Sequence, residues 1–187
     1  MKPFVIVASM RFGTAMRPPR EPTMTGQAAG PGLFRTGVII AAIAAALDQF
    51  SKFWILNDVM APPRVIEVTP FFNLVLAWNK GVSFGMFSTD SVYGPWLLTG
   101  LAIAIVIALG VWLWRADTKW VACALGLVIG GAIGNVVDRV RFGAVVDFLD
   151  VHAFGYHWPA FNVADSAICV GAVILILESL FRPGEKA

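Results

Sequence analysis

The sequence predicts an all-α membrane bundle of four transmembrane helices, with a small extracytoplasmic β-cradle and a short interfacial helical segment. Three observations predict it. Of the 187 residues, 58% are hydrophobic and 14% charged, whereas a soluble globular domain is about 45–50% apolar and about 25% charged. Four apolar runs approach the roughly 20 residues that a membrane helix needs. Trp54, Trp96, Trp112, Trp114, Trp120 and Trp158 stand near the ends of those runs, where an interfacial aromatic belt belongs.

Residues 1–33 carry Pro18, Pro19, Pro22, Pro31 and four basic residues, and read as a flexible cytoplasmic extension. The apolar stretch Phe4 to Ala8 is shorter than the roughly 7–15 residues of a signal-peptide core. Met10, Met16 and Met24 would each serve equally well as the start. Residues 34–187 form a single four-helix domain. Its first span runs over about residues 36–56 and contains Asp48 and Lys52. The second, about 93–114, has no charge between Asp90 and Arg115. The third covers about 120–137 and the fourth about 161–181.

Two segments lie outside the membrane. Residues 57–92 alternate apolar and polar in places, with Pro70 between the two runs, and predict short strands in a small sheet. Residues 138–160, rich in Val, Phe and His, are expected along the interface as loop or helix. Gly126, Gly130 and Gly134 recur every fourth residue in the third span, which lets a second helix approach closely.

Basic residues set the orientation. Segments 1–35, 115–119 and 182–187 hold nine Lys or Arg, against five on the other side. The positive-inside rule then places both termini in the cytoplasm and the two external segments on the periplasmic or cell-exterior face.

Several classes are excluded. A net charge of +2 gives no basic field for nucleic acid. Cys123 and Cys169 both sit in apolar runs, where a thiol packs as a small hydrophobe. His152 and His157 are the only histidines, and neither has metal-ligand spacing. No metal and no cofactor is expected.

Ionisable side chains within a membrane are costly and mark function by default. Asp48, Lys52, Asp138, Arg139, Asp147 and Asp165 all fall near the same ends of their spans, whereas Glu178 lies near the other end and reads as interfacial. Asp165 begins the fourth span, just below the interface; Asn162 and Asp165 also have the spacing of a helix cap and its partner three residues on. Asp147 is flanked by Val145, Val146 and Phe148, an odd setting for a solvated loop acid. Asp150 is the weaker neighbour, and Asp138, followed by Arg139, suits a structural ion pair. Asp48 and Lys52, four residues apart on a helix, suit a salt bridge. The preferred pair is therefore Asp147 with Asp165. Two carboxylates in one site share a proton, so one is an acid while the other is a base. Water attack on a peptide carbonyl needs that combination.

A rival motif is Gly81-Val-Ser83-Phe-Gly85, which matches a serine-hydrolase nucleophile elbow. That elbow works at a strand-to-helix turn in a large α/β sheet, for which this chain has no room. Asn79-Lys-Gly81 reads as a tight turn instead.

Five blocks of this sequence resemble the bacterial lipoprotein signal peptidases, signal peptidase II. They are Asp48-Gln-Phe-Ser-Lys52, Asn73 to Phe84 with its Asn79-x-Gly81-x-x-Phe84 core, Gly130 to Arg139, Gly143-x-Val-Val-Asp147-Phe, and Phe161-Asn162-Val-Ala-Asp165-Ser166. The resemblance implies an aspartyl endopeptidase of the inner membrane, without cofactor. Its partners would be membrane lipid and prolipoproteins already carrying diacylglycerol, cut just before the lipidated cysteine by a monomeric enzyme. It implies Asp147 and Asp165 as the catalytic dyad. Asn135, Arg139 and Asn162 would hold the dyad and the substrate backbone, and Asp48, Lys52, Asn79, Gly81 and Asp138 would belong to the remaining motifs around the cleft. The 57–92 segment would be the β-cradle that, with an external helical segment, covers the substrate.

Two other readings use the same residues. A small ion-coupled carrier also needs intramembrane acids, but would place ionisable or helix-breaking residues at mid-membrane, often in repeated halves. The second span has no charge, and the echo of Asn135/Asp138 in Asn162/Asp165 is only four residues long. An assembly factor using the glycine face would leave the acids unexplained.

Overall fold

A computed structural model describes residues 31–81 and 94–181. Residues 1–30 of the extension, Ser83, Phe84, Gly85 and Asp90 therefore lie outside the described residues, whereas residues 31–33, expected in the extension, open the first helix. The chain runs through α1 (Pro31–Trp54), a wide π-type turn (Ile55–Val59), β1 (Ile66–Thr69), β2 (Phe72–Asn79), α2 (Gly94–Trp114), α3 (Lys119–Phe142), β3 (Val145–Ala153), β4 (Tyr156–His157) and α4 (Val163–Phe181). All four α-helices are long and apolar enough to cross a membrane.

Helix α3 is the centre of the bundle: α1, α2 and α4 all pack on it. Its glycines make that possible. A Cβ on Gly126 would meet the carbonyl of Gly37 and the side chain of Ile40, and one on Gly130 would meet the carbonyl of Ala41. These are the close helix approaches expected from the repeat. Thr118 caps the start of α3, its Oγ accepting the Val121 amide at 3.1 Å. Gly143 ends the helix at φ 69°, its N–H donating to the Arg139 carbonyl, because a left-handed cap favours a residue without Cβ. Between α2 and α3, Leu113 and Ala116 pack with Val121, Leu125 and Ile129 in a buried apolar cluster. Large side chains such as Phe50 and Ile107 stay exposed on the outer flanks, where lipid is their solvent.

Two spans differ from expectation: α1 begins at Pro31 rather than near residue 36, and α3 ends later. Helix α3 was expected to stop near Val137 but continues to Phe142, keeping Asp138 and Arg139 helical. Asp138 finds its counter-charge in Lys52 inside the protein, so the helix need not end where the charges begin. Residues 145–153 also depart from expectation. They form neither an interfacial loop nor a helix but strand β3, which joins one antiparallel sheet in the order β1-β2-β3-β4. The wide turn at 55–59 continues the first span, which runs over Gly32–Val59. Strand β3 pairs with β2 from Phe72↔Val151 to Asn79↔Val145, with a register irregularity between Leu74 and Ala77. Beneath the sheet, Ile55, Met60 and Phe148 form a second apolar cluster. The sheet thus sits on the end of the bundle where α1 and α3 finish and α2 and α4 start.

Candidate active site

Helices α1, α3 and α4 and strands β2 and β3 deliver the polar residues to this end of the bundle, and two groups of carboxylates result. The first is an ion cluster. Lys52, 2% exposed, lies between Asp48 and Asp138, both fully buried, at 2.8 Å and 2.7 Å. The expected Asp48–Lys52 bridge is present. Asp138, expected to pair with its neighbour Arg139, takes Lys52 instead, because adjacent residues on a helix do not face each other. Gln49 closes the cluster, its Nε2 donating to Asp138 at 2.9 Å, to the Gly134 carbonyl at 3.1 Å and to Asp48 at 3.2 Å. The sequence reading did not single out Gln49; its only signal was its place beside Asp48. A Cβ on Gly134 would strike the Asp48 carboxylate, so the third glycine makes room for the ion cluster.

Each acid of this cluster also holds a backbone amide. Asp138 Oδ2 accepts the N–H of Val146 at 3.1 Å, and Asp48 Oδ1 accepts the N–H of Ala164 at 2.9 Å. Val146 precedes Asp147 and Ala164 precedes Asp165. The ion cluster therefore fixes the backbone one residue before each acid of the second group.

The second group is Asp147 on β3 and Asp165 in the first turn of α4. Neutral amides hold it. Asn162 Nδ2 donates to Asp147 Oδ1 at 2.7 Å and contacts Asn135 Oδ1 at 3.2 Å. Asn135 Nδ2 donates to Asp165 Oδ1 at 2.8 Å. Thus two carboxylates hang from two asparagines that also bond each other, and Lys52 Nζ reaches the same Asn135 Oδ1 at 3.2 Å. The capping alternative for Asp165 is geometrically present too. The Asp165 amide donates to Asn162 Oδ1 at 2.9 Å, and the Asn162 amide donates back to Asp165 Oδ2 at 3.3 Å. Capping accounts for one oxygen of Asp165, while the bond from Asn135 comes from another helix.

Asn79, at the end of β2, donates to Asp147 Oδ2 at 3.0 Å, and its Oδ1 accepts the Gly81 amide at 2.8 Å. Gly81 adopts φ +93°, and a Cβ there would collide with Leu98. The tight turn expected at Asn79-Lys-Gly81 is therefore present, and it aims an amide at Asp147. Arg139 Nη1 makes a long bond to the Asn135 carbonyl at 3.4 Å, and its Nε is buried without a partner.

Electrostatics distinguish the acids. Burial pushes the Asp147 carboxyl up to about 6, helped by the negative charge of Asp165; hydrogen bonds from Asn79 and Asn162 and the charge of Lys52 act the other way. Asp150, three residues along the strand, behaves oppositely. Burial raises it, but bonds from His157 and Asn73 and the nearby histidines outweigh that and hold it below the usual carboxylate range. His157 Nδ1 lies 2.9 Å from Asp150, and Asn73 Nδ2 donates to it at 3.0 Å. Asp150 belongs to the sheet rather than to the paired acids. Among the described residues, no group of three or more His, Cys, Asp or Glu is arranged to hold a metal ion.

Asp165 and its neighbour Ser166 open onto a cavity of about 470 Å³ otherwise lined by Trp158, Pro159, Ala160, Phe161, Cys169 and Val170. Asp147, by contrast, is 2% exposed. Fold and site together define a multi-pass membrane protein with two amide-held carboxylates at one end of its bundle, beside an apolar cavity.

Residues 40–181 match the family described as Signal peptidase (SPase) II. Similar relatives include the lipoprotein signal peptidase of Methylorubrum extorquens, 46% identical over 157 residues, covering 82% of this chain and 90% of the relative. That of Rhodopseudomonas palustris is 45% identical over 159 residues, covering 82% and 97%. Two solved structures, each titled as a bacterial membrane enzyme structure, share 32% identity with this chain. One has a TM-score of 0.68 and covers 86% of this chain and 97% of its own; the other has 0.69, with 84% and 99%. The chain belongs to the signal peptidase II family. It is accordingly an aspartic-type peptidase, a class that hydrolyses peptide bonds.

Proposed function

We propose that Asp147 and Asp165 are the catalytic dyad of this peptidase, and that its substrates are prolipoproteins bearing diacylglycerol on the cysteine that follows the cut. The observation that carries the dyad is the shared Asn135–Asn162 bridge, which ties one carboxylate to each end. In the reaction, Asp147 holds the proton and hydrogen-bonds the scissile carbonyl, while Asp165, open to the cavity, takes a proton from water. The water oxygen adds to the carbonyl carbon as Asp147 delivers its proton to the carbonyl oxygen. Asp165 then protonates the departing amide nitrogen, the C–N bond breaks, and a proton returns to Asp147 as the new carboxylic acid forms. Neither cofactor nor metal enters these steps.

Asn79 and Asn162 orient Asp147, Asn135 orients Asp165, and Arg139 offers its unpaired Nε to the substrate backbone. Asp48, Lys52 and Asp138 act through the amides of Val146 and Ala164. Gly81 keeps the Asn79 turn tight. The enzyme works as a monomer in the inner membrane, with its dyad and sheet on the extracytoplasmic side and both termini in the cytoplasm. Arg115 and Lys119, at the end of the bundle away from the sheet, support that orientation.

The test is incubation of the purified protein in detergent with one precursor in lipidated and unlipidated forms. Cleavage of the lipidated form alone, before the modified cysteine, is the expected result. Equal processing of both would remove the lipid from the substrate definition.

A further inference from the structure

The cavity beside Asp165 has a wall whose chemistry the dyad does not use. Its rim is the segment Trp158–Phe161, and that rim is not a loose loop. The Trp158 amide donates to the Val151 carbonyl at 2.8 Å, the Phe161 amide donates to Leu149 at 3.0 Å, and the Phe161 carbonyl accepts from both Phe148 and Leu149. Strand β3, which carries Asp147, therefore holds the rim as well. The floor is the flank of α4 one turn beyond Asp165, where Cys169 and Val170 are exposed. The polar groups of the lining are the adjacent Asp165 and Ser166, and the other residues that line it are apolar or, as Cys169, weakly polar.

Covalent chemistry restricts what can occupy such a space. In a substrate cut before a lipidated cysteine, the scissile amide nitrogen and the lipid are joined through Cα, Cβ and the thioether sulfur. When the carbonyl reaches Asp165, the lipid must begin a few bonds away and needs an apolar path out of the site. A groove that starts at Asp165 and runs down a lipid-facing helix offers that path. Pockets of roughly 300–1,000 Å³ with few polar groups are typical for small apolar ligands.

We infer that this groove, floored by Cys169 and Val170 and roofed by Trp158 and Phe161, receives an acyl chain of the substrate's diacylglyceryl group and so sets the preferred chain length. The inference rests on the dyad and substrate reading above and adds the place where the lipid is measured. Cys169 and Val170 are specificity-determining residues in this scheme, acting on binding rather than on proton transfer.

The experiment uses the full chain in detergent with two lipidated precursors that differ only in acyl length, dioctanoyl and dipalmitoyl. For the wild type, KM for the dipalmitoyl form should be lower by about tenfold or more, the factor that each ~1.4 kcal/mol of binding supplies. In Cys169→Trp the indole fills the floor, and the KM ratio between the two precursors should fall below about two. Val170→Trp provides a second way to fill the groove should the first variant insert poorly. Ile107→Trp places the same bulk on the exposed flank of α2 and should keep the wild-type ratio. A wild-type KM that ignores chain length, or a ratio that survives both groove variants, overturns the inference while leaving the dyad reading untouched. Loss of the ratio in Ile107→Trp as well would overturn it too, since any lipid-facing bulk would then do the same. Failure of the wild type to process either precursor would instead count against the substrate reading itself.

Discussion

The two carboxylate groups at the end of this bundle lie side by side and are treated in opposite ways. Asp48 and Asp138 share one lysine, accept backbone amides and are sealed from solvent. Asp147 and Asp165 receive neutral amide donors, and Asp165 opens onto a cavity. The first pair is tied to a lysine and to the backbone, which holds it in place as structure. In the second, burial lifts the Asp147 carboxyl and Asp165 faces open space, the setting in which a proton can be exchanged. The difference teaches how one small protein uses aspartate for structure and for chemistry within a few residues. Asp150 makes the point again on the same strand as Asp147, since His157 and Asn73 hold it low while burial lifts its neighbour.

Removing the exchangeable proton should have the largest effect. Asp147→Asn and Asp165→Asn should each lower kcat by about a thousandfold or more, within the range that general acid–base groups contribute, while the protein still inserts and purifies. Cleavage assays on the lipidated precursor measure this, and near-normal turnover by either variant would exclude that residue from the dyad.

Next comes the ion cluster. Lys52→Met leaves two buried carboxylates without their cation, a change that costs on the order of 3–5 kcal/mol. Unfolding followed in detergent should detect it, together with reduced activity as the amides of Val146 and Ala164 lose their anchors. A variant as stable as the parent would mean that the cluster is not structural.

The smallest effect is a shift rather than a loss. With its pKa raised to about 6, Asp147 keeps its proton below that pH and loses it above. If Asp147 is the acid, kcat/KM should fall as pH rises through about 6. Asn79 bonds the ionised form and lowers that pKa, so Asn79→Ala should move the descending limb to higher pH. A limb that stays put or moves to lower pH would reverse the assignment of acid and base within the pair.

Much of this arrangement was legible in the sequence, for identifiable reasons. Spans are read from uncharged apolar length, and α2, with no internal charge, was placed within a residue of its ends. The C-terminal end of α3 was not, because Asp138 and Arg139 look like a boundary until Lys52, far away in the chain, supplies the counter-charge. Strand β3 was missed for a related reason. Val145 to Phe148 are all buried, so the period-two alternation that marks a half-exposed strand is absent. The dyad could be chosen from the oddity of Asp147 among apolar neighbours and of Asp165 at a span end. The amide bridge could not, since the residues that form it, Asn135 and Asn162, are separated by the end of α3 and by strands β3 and β4.

The pairing of β3 with β2 has a consequence for how this chain tolerates length changes. Side chains alternate between the faces of a strand, so a slip of one residue turns every one of them to the opposite side. Here Val146 is bonded to Asp138 and Leu149 to Phe161, so the strand is pinned on both sides of Asp147. An insertion or deletion of one residue between those two anchors would rotate the acid out of the site without touching a single catalytic side chain. That short stretch should be intolerant of indels, whereas the turn at Phe154–Gly155 lies outside both anchors and has room to lengthen.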